Sequence, residues 1–128
     1  MHLIIGGRYM GKSEYAGQLY GSFDIICDME KQDPKDIDCI TGKGLITDIH
    51  TGVKKLMKQN IIPCDFFMSR IDILRHCIIT GDEIGGGVVP IDEFSRRWRD
   101  NTGLLYQALA READIVDRIF AGLALRLK

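Results

Sequence analysis

The sequence predicts a single α/β domain over residues 1–128, a three-layer fold in which a mostly parallel sheet carries helices on both faces. Two observations support this prediction. Short apolar runs alternate with segments of helical composition along the chain, which is the pattern of parallel strands joined by crossover helices. A glycine-rich loop also follows the first apolar run and precedes the first helical segment. This strand–loop–helix order is typical of P-loop NTPase-like folds.

The N-terminal half is expected to contribute three strands and two helices. The predicted strands lie at residues 2–5, 23–27 and 36–40, and a helical segment over residues 13–20 separates the first two. The second helix is indicated by apolar residues at offsets of four, seven and eight, which share one helical face. These apolar residues are Ile49, Val53, Leu56 and Met57.

The C-terminal half continues the alternation. Apolar residues between positions 67 and 74 suggest a further helical stretch, and residues 76–80 form an apolar run typical of a buried strand. Pro90, which is followed by Asp92 and Glu93, indicates the start of a long helix. Residues 115–120 are predicted to form the last strand.

The glycine-rich loop matches the complete P-loop pattern G-x-x-x-x-G-K-[ST]. Its residues are Gly6, Gly7, Arg8, Tyr9, Met10, Gly11, Lys12 and Ser13. In this pattern the glycines let successive backbone N–H groups point at phosphate oxygens, and the dipole of the following helix adds to the attraction. Lys12 is expected to reach the terminal phosphates, and the Ser13 hydroxyl is expected to bind Mg²⁺. The sequence therefore predicts a protein that binds a nucleoside triphosphate.

Acidic residues near strand ends are the candidates for holding the metal ion or orienting the acceptor, because ligand-binding groups of α/β sheets gather there. Asp38, in the predicted third strand, could hold Mg²⁺ through water, and its alternative is a solvated turn residue. Glu83 follows the predicted fourth strand and precedes a glycine run, so it could orient an attacking hydroxyl. Its alternative is a simple Asp–Glu turn. Asp82 and Gly85 also fit the D-x-x-G pattern of small GTPases, but the guanine-reading N-K-x-D motif is absent.

Composition and charge disfavour several classes of protein. A net charge of −1 gives no electrostatic footprint for nucleic acid or for an anionic membrane. No apolar run approaches the ~20 residues that span a bilayer, and no signal peptide is visible. The four cysteines form no C-x-x-C pair, which favours a reduced, cytoplasmic protein.

Segments at both ends of the chain resemble those of one known family. Besides the P-loop they are residues 81–90 (GDEIGGGVVP), 96–100 (RRWRD), Gly103, Gln107, Ala110, Ala113, Asp114 and 121–128. Together these segments are similar to the bifunctional adenosylcobinamide kinase/adenosylcobinamide-phosphate guanylyltransferases of cobalamin biosynthesis. Residues 38–41 also look like the D-C-L-T segment at the end of that family's third strand.

The resemblance implies a P-loop fold, a nucleoside triphosphate, Mg²⁺ and a corrinoid substrate, and it suggests a homo-oligomer. The middle of the chain departs from the family, because the H-R-x-x-R-P motif that carries the guanylylated histidine is missing. His50 is interpreted as a surface residue of the second helix rather than as a substitute nucleophile. We therefore expect an Mg²⁺-dependent kinase that uses ATP or GTP to phosphorylate the aminopropanol hydroxyl of (adenosyl)cobinamide.

Two alternatives remain open at this point. One is the full bifunctional activity, with His50 or another group replacing the missing histidine. The other is a relative that binds nucleotide or corrinoid without turnover. A further question concerns the basic residues Arg96, Arg97 and Arg99. One of them could contact a triphosphate or a corrinoid side chain, or they could form a solvated basic face of the helix. Trp98 is expected in the core stripe of the same helix.

Overall fold

The computed structural model describes residues 1–85 and 89–128, and within them a six-stranded sheet forms the centre of the fold. The strands are β1 (His2–Gly6), β2 (Ile25–Asp28), β3 (Gly44–Thr47), β4 (Cys77–Asp82), β5 (Ile115–Phe120) and β6 (Leu123–Arg126). Their order across the sheet is β2-β3-β4-β1-β5-β6. Strands β1 to β5 run parallel to one another, and β6 pairs antiparallel with β5. The predicted mostly parallel sheet is confirmed.

Helices cover both faces of this sheet, as the sequence predicts. They are α1 (Lys12–Tyr20), α2 (Ile49–Lys58), α3 (Pro63–Met68), α4 (Ile71–Leu74) and α5 (Glu93–Glu112). Adjacent residues of β1 point to opposite faces: Leu3 belongs to the large core beneath α2 to α5, and Ile4 to a smaller core beneath α1. Among the described residues, no helix is long and apolar enough to cross a membrane.

The predicted strand over residues 36–40 is wrong, because residues Pro34–Cys39 form a 3₁₀ helix. Asp33 caps this helix by accepting the Lys35 N–H at 2.8 Å, and Pro34 supplies a φ suited to the first helical position. The third strand lies later in the chain, at β3. The sequence marks it poorly, since only Leu45 and Ile46 form its apolar run.

Two further elements differ from the sequence-based expectation. The helical stretch between residues 67 and 74 is two short helices, α3 and α4, rather than one. The strand over residues 115–120 is not the last, because the chain turns at Ala121 and Gly122 and returns as β6. Both turn residues have positive φ, 50° and 76°, as type I′ hairpin turns require. Alanine rarely adopts a positive φ, so the turn residues did not indicate a hairpin in the sequence.

A buried polar cluster joins the N-terminal strand to the C-terminal hairpin. The carboxylate of Asp117 on β5 accepts hydrogen bonds from His2 Nε2 at 2.7 Å, Tyr15 Oη at 2.8 Å and Arg126 Nε at 2.6 Å. Burial alone would raise the pKa of Asp117, but these donors outweigh it and lower the pKa. Since the carboxylate can only accept, His2 Nε2 carries a proton. Burial lowers the pKa of His2 and so favours the neutral ring, in which Nδ1 accepts from the Tyr20 hydroxyl, 2.5 Å away. His2 is therefore a neutral, buried imidazole.

The buried imidazole of His2 is expected to make stability depend on pH. Burial lowers the pKa of His2 below 6.5, so below that pH the unfolded chain binds a proton that the native protein does not. The stability that the neutral His2 ring contributes is fully present above pH 6.5, and it is lost as the pH falls from there through the lower pKa of the folded protein. In His2→Gln the free energy of unfolding should fall less between pH 7.5 and 5.5 than in the wild type, as measured by urea titration. Equal slopes in the two proteins would contradict this assignment.

Candidate functional site

The sheet order brings three strand ends to one place. β3, β4 and β1 are neighbours, so the residues at their carboxyl ends face a common cavity of about 600 Å³. The P-loop after β1 contributes Gly11, Lys12 and Ser13, the end of β3 contributes Asp48, and the end of β4 contributes Asp82. This is the edge of an α/β sheet at which ligands bind.

The P-loop lies close against β5. A Cβ atom at Gly6 would stand 2.5 Å from the carbonyl oxygen of Ile119, so only glycine permits this approach. Gly11 has φ 99° and directly precedes α1, and Tyr9 also adopts a positive φ of 61°. The predicted loop residues therefore form a tight turn at the start of a helix, which is the arrangement that presents backbone N–H groups to an anion.

The side chain of Lys12 folds back onto the P-loop. Its side chain is only 8% exposed, and its Nζ donates to the Gly7 carbonyl at 2.7 Å and lies 2.6 Å from Asp82 Oδ1. A phosphate entering the cavity would compete with both partners for the ammonium group. Asp82 thus acts as the counter-ion of Lys12 in this structure.

His50 also lies in this cavity, and the expectation of a surface residue is wrong, since it is only 8% exposed. Its Nδ1 accepts the backbone N–H of Asp82 at 3.1 Å, and its Nε2 lies 3.4 Å from Asp82 Oδ2. Burial lowers the pKa of His50, although the Asp82 carboxylate opposes that shift. The geometry indicates a neutral ring that carries its proton on Nε2, directed at the carboxylate.

Asp48 is the acidic residue that the sequence did not single out. It follows β3 directly and has left-handed backbone angles, φ 56° and ψ 45°, a conformation that non-glycine residues adopt at a cost. Within the described part of the chain its carboxylate accepts no side-chain or capping hydrogen bond. Burial raises the pKa of Asp48, because a desolvated carboxylate is costly without a cation.

The donor set around Asp48 fits a hard divalent cation. Ligand atoms of Asp48, His50 and Asp82 lie within 4.8 Å of one another, and Asp28 and Glu30 form a second such group with Asp48. Carboxylate oxygens and a hydroxyl are the ligands that Mg²⁺ prefers, and Ser13 lines the same cavity. The residues present therefore suit Mg²⁺, with Asp48 as the unpaired carboxylate that a cation would neutralise.

The structure does not bring Asp38 into this cavity. Asp38 lies on the 3₁₀ helix, is half exposed, and pairs with Arg70 through Nε and Oδ1 at 2.7 Å. The reason is the misplaced strand: the acid at the end of the third strand is Asp48. The sequence signal that could have identified Asp48 is the run of apolar and β-branched residues at positions 45–47, which directly precedes it.

Glu83 lies beside the cavity rather than in it. Its carboxylate forms two hydrogen bonds with Arg118, at 2.8 and 3.1 Å, and it lines a second cavity of about 430 Å³ together with Tyr106. Tyr106 donates to the Asp82 carbonyl at 2.7 Å and so helps to hold the end of β4. Residues 86–88, which comprise the last two glycines of the run after Glu83 and Val88, lie outside the described residues.

The arginines of α5 do not line the P-loop cavity, but their neighbour Trp98 does. Arg96 donates to the Pro90 carbonyl at 3.1 Å, and Arg99 pairs with Asp100 at 3.2 Å. Trp98 packs partly against the core, as expected, and donates its indole N–H to the His50 carbonyl at 2.7 Å. Lys54 Nζ lies 4.8 Å from the centroid of the Trp98 ring. A lysine and an aromatic ring therefore line the cavity together with the P-loop.

The mostly parallel sheet, the loop after its first strand and the carboxylates at the neighbouring strand ends define a protein with a P-loop NTPase-like fold. The sequence model of the cobinamide kinase / cobinamide phosphate guanyltransferase family matches residues 24–127. The chain belongs to this family. The match begins beyond the P-loop, so the motif and the family match are separate observations.

A curated relative with sequence similarity is the bifunctional adenosylcobalamin biosynthesis protein CobP of Pseudomonas aeruginosa. It is 45% identical to this chain over 51 residues. The similar segment makes up 40% of this chain and 30% of the relative. The comparison therefore concerns less than a third of the relative's length.

Proposed function

We propose that the protein is an Mg²⁺-dependent kinase, which transfers the γ-phosphoryl group of ATP or GTP to the aminopropanol hydroxyl of cobinamide or adenosylcobinamide. The observation that carries the proposal is the cavity in which Lys12, Ser13, Asp48 and Asp82 converge. The choice of acceptor rests on the family description and on the cobalamin biosynthesis named for the Pseudomonas relative.

Phosphate binding is assigned to the P-loop and to Lys12. The loop from Gly6 to Ser13 turns into the N-terminus of α1, where backbone N–H groups and the helix dipole favour the phosphates. Lys12 exchanges its contacts with Gly7 and Asp82 for oxygens of the β- and γ-phosphates. The ammonium group then offsets negative charge that spreads over the transferring phosphoryl group.

Ser13 and Asp48 are the residues that would hold Mg²⁺, the first through its hydroxyl and the second through its carboxylate. An ion held there would supply positive charge to offset that of the phosphates. Asp48 is preferred to Asp38 because it lines the cavity with Lys12, whereas Asp38 is paired with Arg70 outside it. The sequence-based role of Asp38 thus passes to Asp48 in this proposal.

Asp82 is assigned the role of orienting the acceptor hydroxyl. When Lys12 turns to the phosphates, the Asp82 carboxylate loses its counter-ion and can accept the hydroxyl proton. His50 keeps that carboxylate in place through the contacts on both of its ring nitrogens. Glu83 is bound to Arg118, so the proposal moves this role from Glu83 to its neighbour.

The direct test is transfer of label from γ-labelled ATP or GTP into cobinamide in the presence of Mg²⁺. Labelled corrinoid should appear with at least one nucleotide and should disappear when Mg²⁺ is removed with a chelator. A protein that binds nucleotide but labels no corrinoid with either donor would exclude the kinase and favour a binding relative.

Guanylyl transfer is the second candidate, because the family description includes it and His50 lies in the cavity. A nucleophilic histidine needs a free nitrogen lone pair, whereas Nδ1 of His50 accepts from Asp82 and Nε2 faces the carboxylate. His50 therefore serves this chemistry only after its ring leaves Asp82. Trapping of acid-labile GMP on the protein from α-labelled GTP, lost in His50→Asn, would establish this activity.

A further inference from the structure

We propose that the turn between β5 and β6 is a positioning element of the P-loop. The backbone N–H of Gly122 donates to the Met10 carbonyl at 2.9 Å. The neighbouring Ala121 N lies 3.3 Å from Met10 Sδ. A Cβ atom at Gly11 would stand 3.4 Å from Gly122 Cα. A remote C-terminal hairpin therefore touches the loop at two consecutive residues.

The hydrogen bond at Met10 decides where the next backbone N–H points. The Met10 carbonyl and the Gly11 N–H belong to one planar trans peptide, so they point in opposite directions. Because Gly122 holds the carbonyl on the hairpin side, the Gly11 N–H is held away from the hairpin. Gly11 lines the cavity. The turn thus sets the orientation of a donor that a phosphate would use.

The hairpin is suited to this role because it is fastened to the elements on either side of the loop. Asp117 on β5 accepts from His2 on β1, which leads into the loop, and from Tyr15 on α1, which leads out of it. Its third donor, Arg126, lies on β6. The carboxylate is 1% exposed, so these bonds form in a dry environment, where they are strong. One carboxylate therefore joins the strand before the loop, the helix after it and the hairpin.

The role of Gly122 can be tested with a matched pair of glycines. Gly122 and Gly21 have φ of 76° and 72°, neither has an atom within 4 Å of an added Cβ, and each donates one backbone hydrogen bond. Gly21 ends α1 and donates to Gly17, away from the loop. Replacing either by proline removes the N–H and opposes the positive φ. The two variants should therefore lose similar stability, but only Gly122→Pro should disturb the loop.

Two readouts separate positioning from general stability. In calorimetric titration with GTP or ATP, Gly122→Pro should bind about fivefold more weakly than Gly21→Pro, which corresponds to one ordinary hydrogen bond. By nuclear magnetic resonance, the order parameter of the Gly11 amide should fall in Gly122→Pro alone. If the proline variants do not fold, the alanine pair is used instead: alanine keeps the N–H but strains the positive φ at both positions, so the same difference between the two variants is expected with a smaller size.

The affinity readout rests on the proposed nucleotide binding, and the order parameter does not. Equal affinities and equal Gly11 order parameters in the two variants would overturn the positioning role. A wild-type protein that binds neither nucleotide would instead refute the proposed function. In that case a Gly11 amide that loosens only in Gly122→Pro would still establish that the hairpin holds the loop, and an unchanged amide would reject it.

Discussion

Replacing Lys12 by alanine should reduce phosphoryl transfer to cobinamide by about a thousandfold or more, the scale on which single charged groups act at a transferring phosphoryl group. Lys12 is the buried cation of the cavity and is held 2.6 Å from Asp82, so no solvent ion replaces it efficiently. The measurement is kcat with saturating nucleotide and Mg²⁺, alongside a circular dichroism spectrum to verify the fold.

Lys58→Ala is the appropriate control for this substitution. Lys58 is an exposed lysine in the last turn of α2 and does not line the cavity. Its removal should leave kcat within about twofold, since surface substitutions away from a site have small effects. A Lys12→Ala protein that retains the wild-type rate would refute the assignment of the cavity as the phosphoryl-transfer site.

Asp48→Asn should lower kcat by about a hundredfold or more and raise the Mg²⁺ concentration needed for half-maximal rate, because it removes a charged oxygen ligand. Asparagine tolerates left-handed backbone angles, so the strained conformation at this position is retained. The free energy of unfolding in the presence of a chelator should not fall, since the half-buried carboxylate gains no hydrogen bond in the described structure.

Asp38→Asn provides the matched comparison for Asp48→Asn. The Asp38–Arg70 pair is half exposed on the aspartate side, and such pairs contribute about 1 kcal/mol or less to stability. We expect wild-type kcat and wild-type Mg²⁺ dependence in Asp38→Asn. The reverse result, a large loss at Asp38 and none at Asp48, would restore the sequence-based assignment and contradict the geometric one.

The two aspartates show where sequence reasoning stops. The tight turn of the P-loop was predictable because eight consecutive residues encode its local backbone geometry. The partner carboxylate depends on which segment pairs with β4. Residues 36–40 looked as apolar as residues 44–47, but the former lie in a 3₁₀ helix that Asp33 caps and the latter form the strand. Amino-acid composition therefore does not distinguish the segment that forms the strand from the one that does not.

His50 was misjudged for a related reason. Its neighbours in the chain gave no motif, and one turn of helix contains both exposed and buried positions. The packing of α2 and α5 beside β4 places its ring against the Asp82 backbone N–H and stacked with the Trp98 ring. A residue 32 positions away in the chain thus becomes its partner, and no local pattern encodes such a contact.

The sequence by itself determined the alternation of strands and helices, the glycine-rich turn after β1 and the start of the long helix α5, because hydrophobic periodicity and capping residues act over short distances. Tertiary structure alone decided the convergence of Asp48, His50 and Asp82, and the contact between Gly122 and the loop. These contacts follow from strand order and from the antiparallel return of β6. Strand order is set by the packing of the whole core, which no single segment specifies.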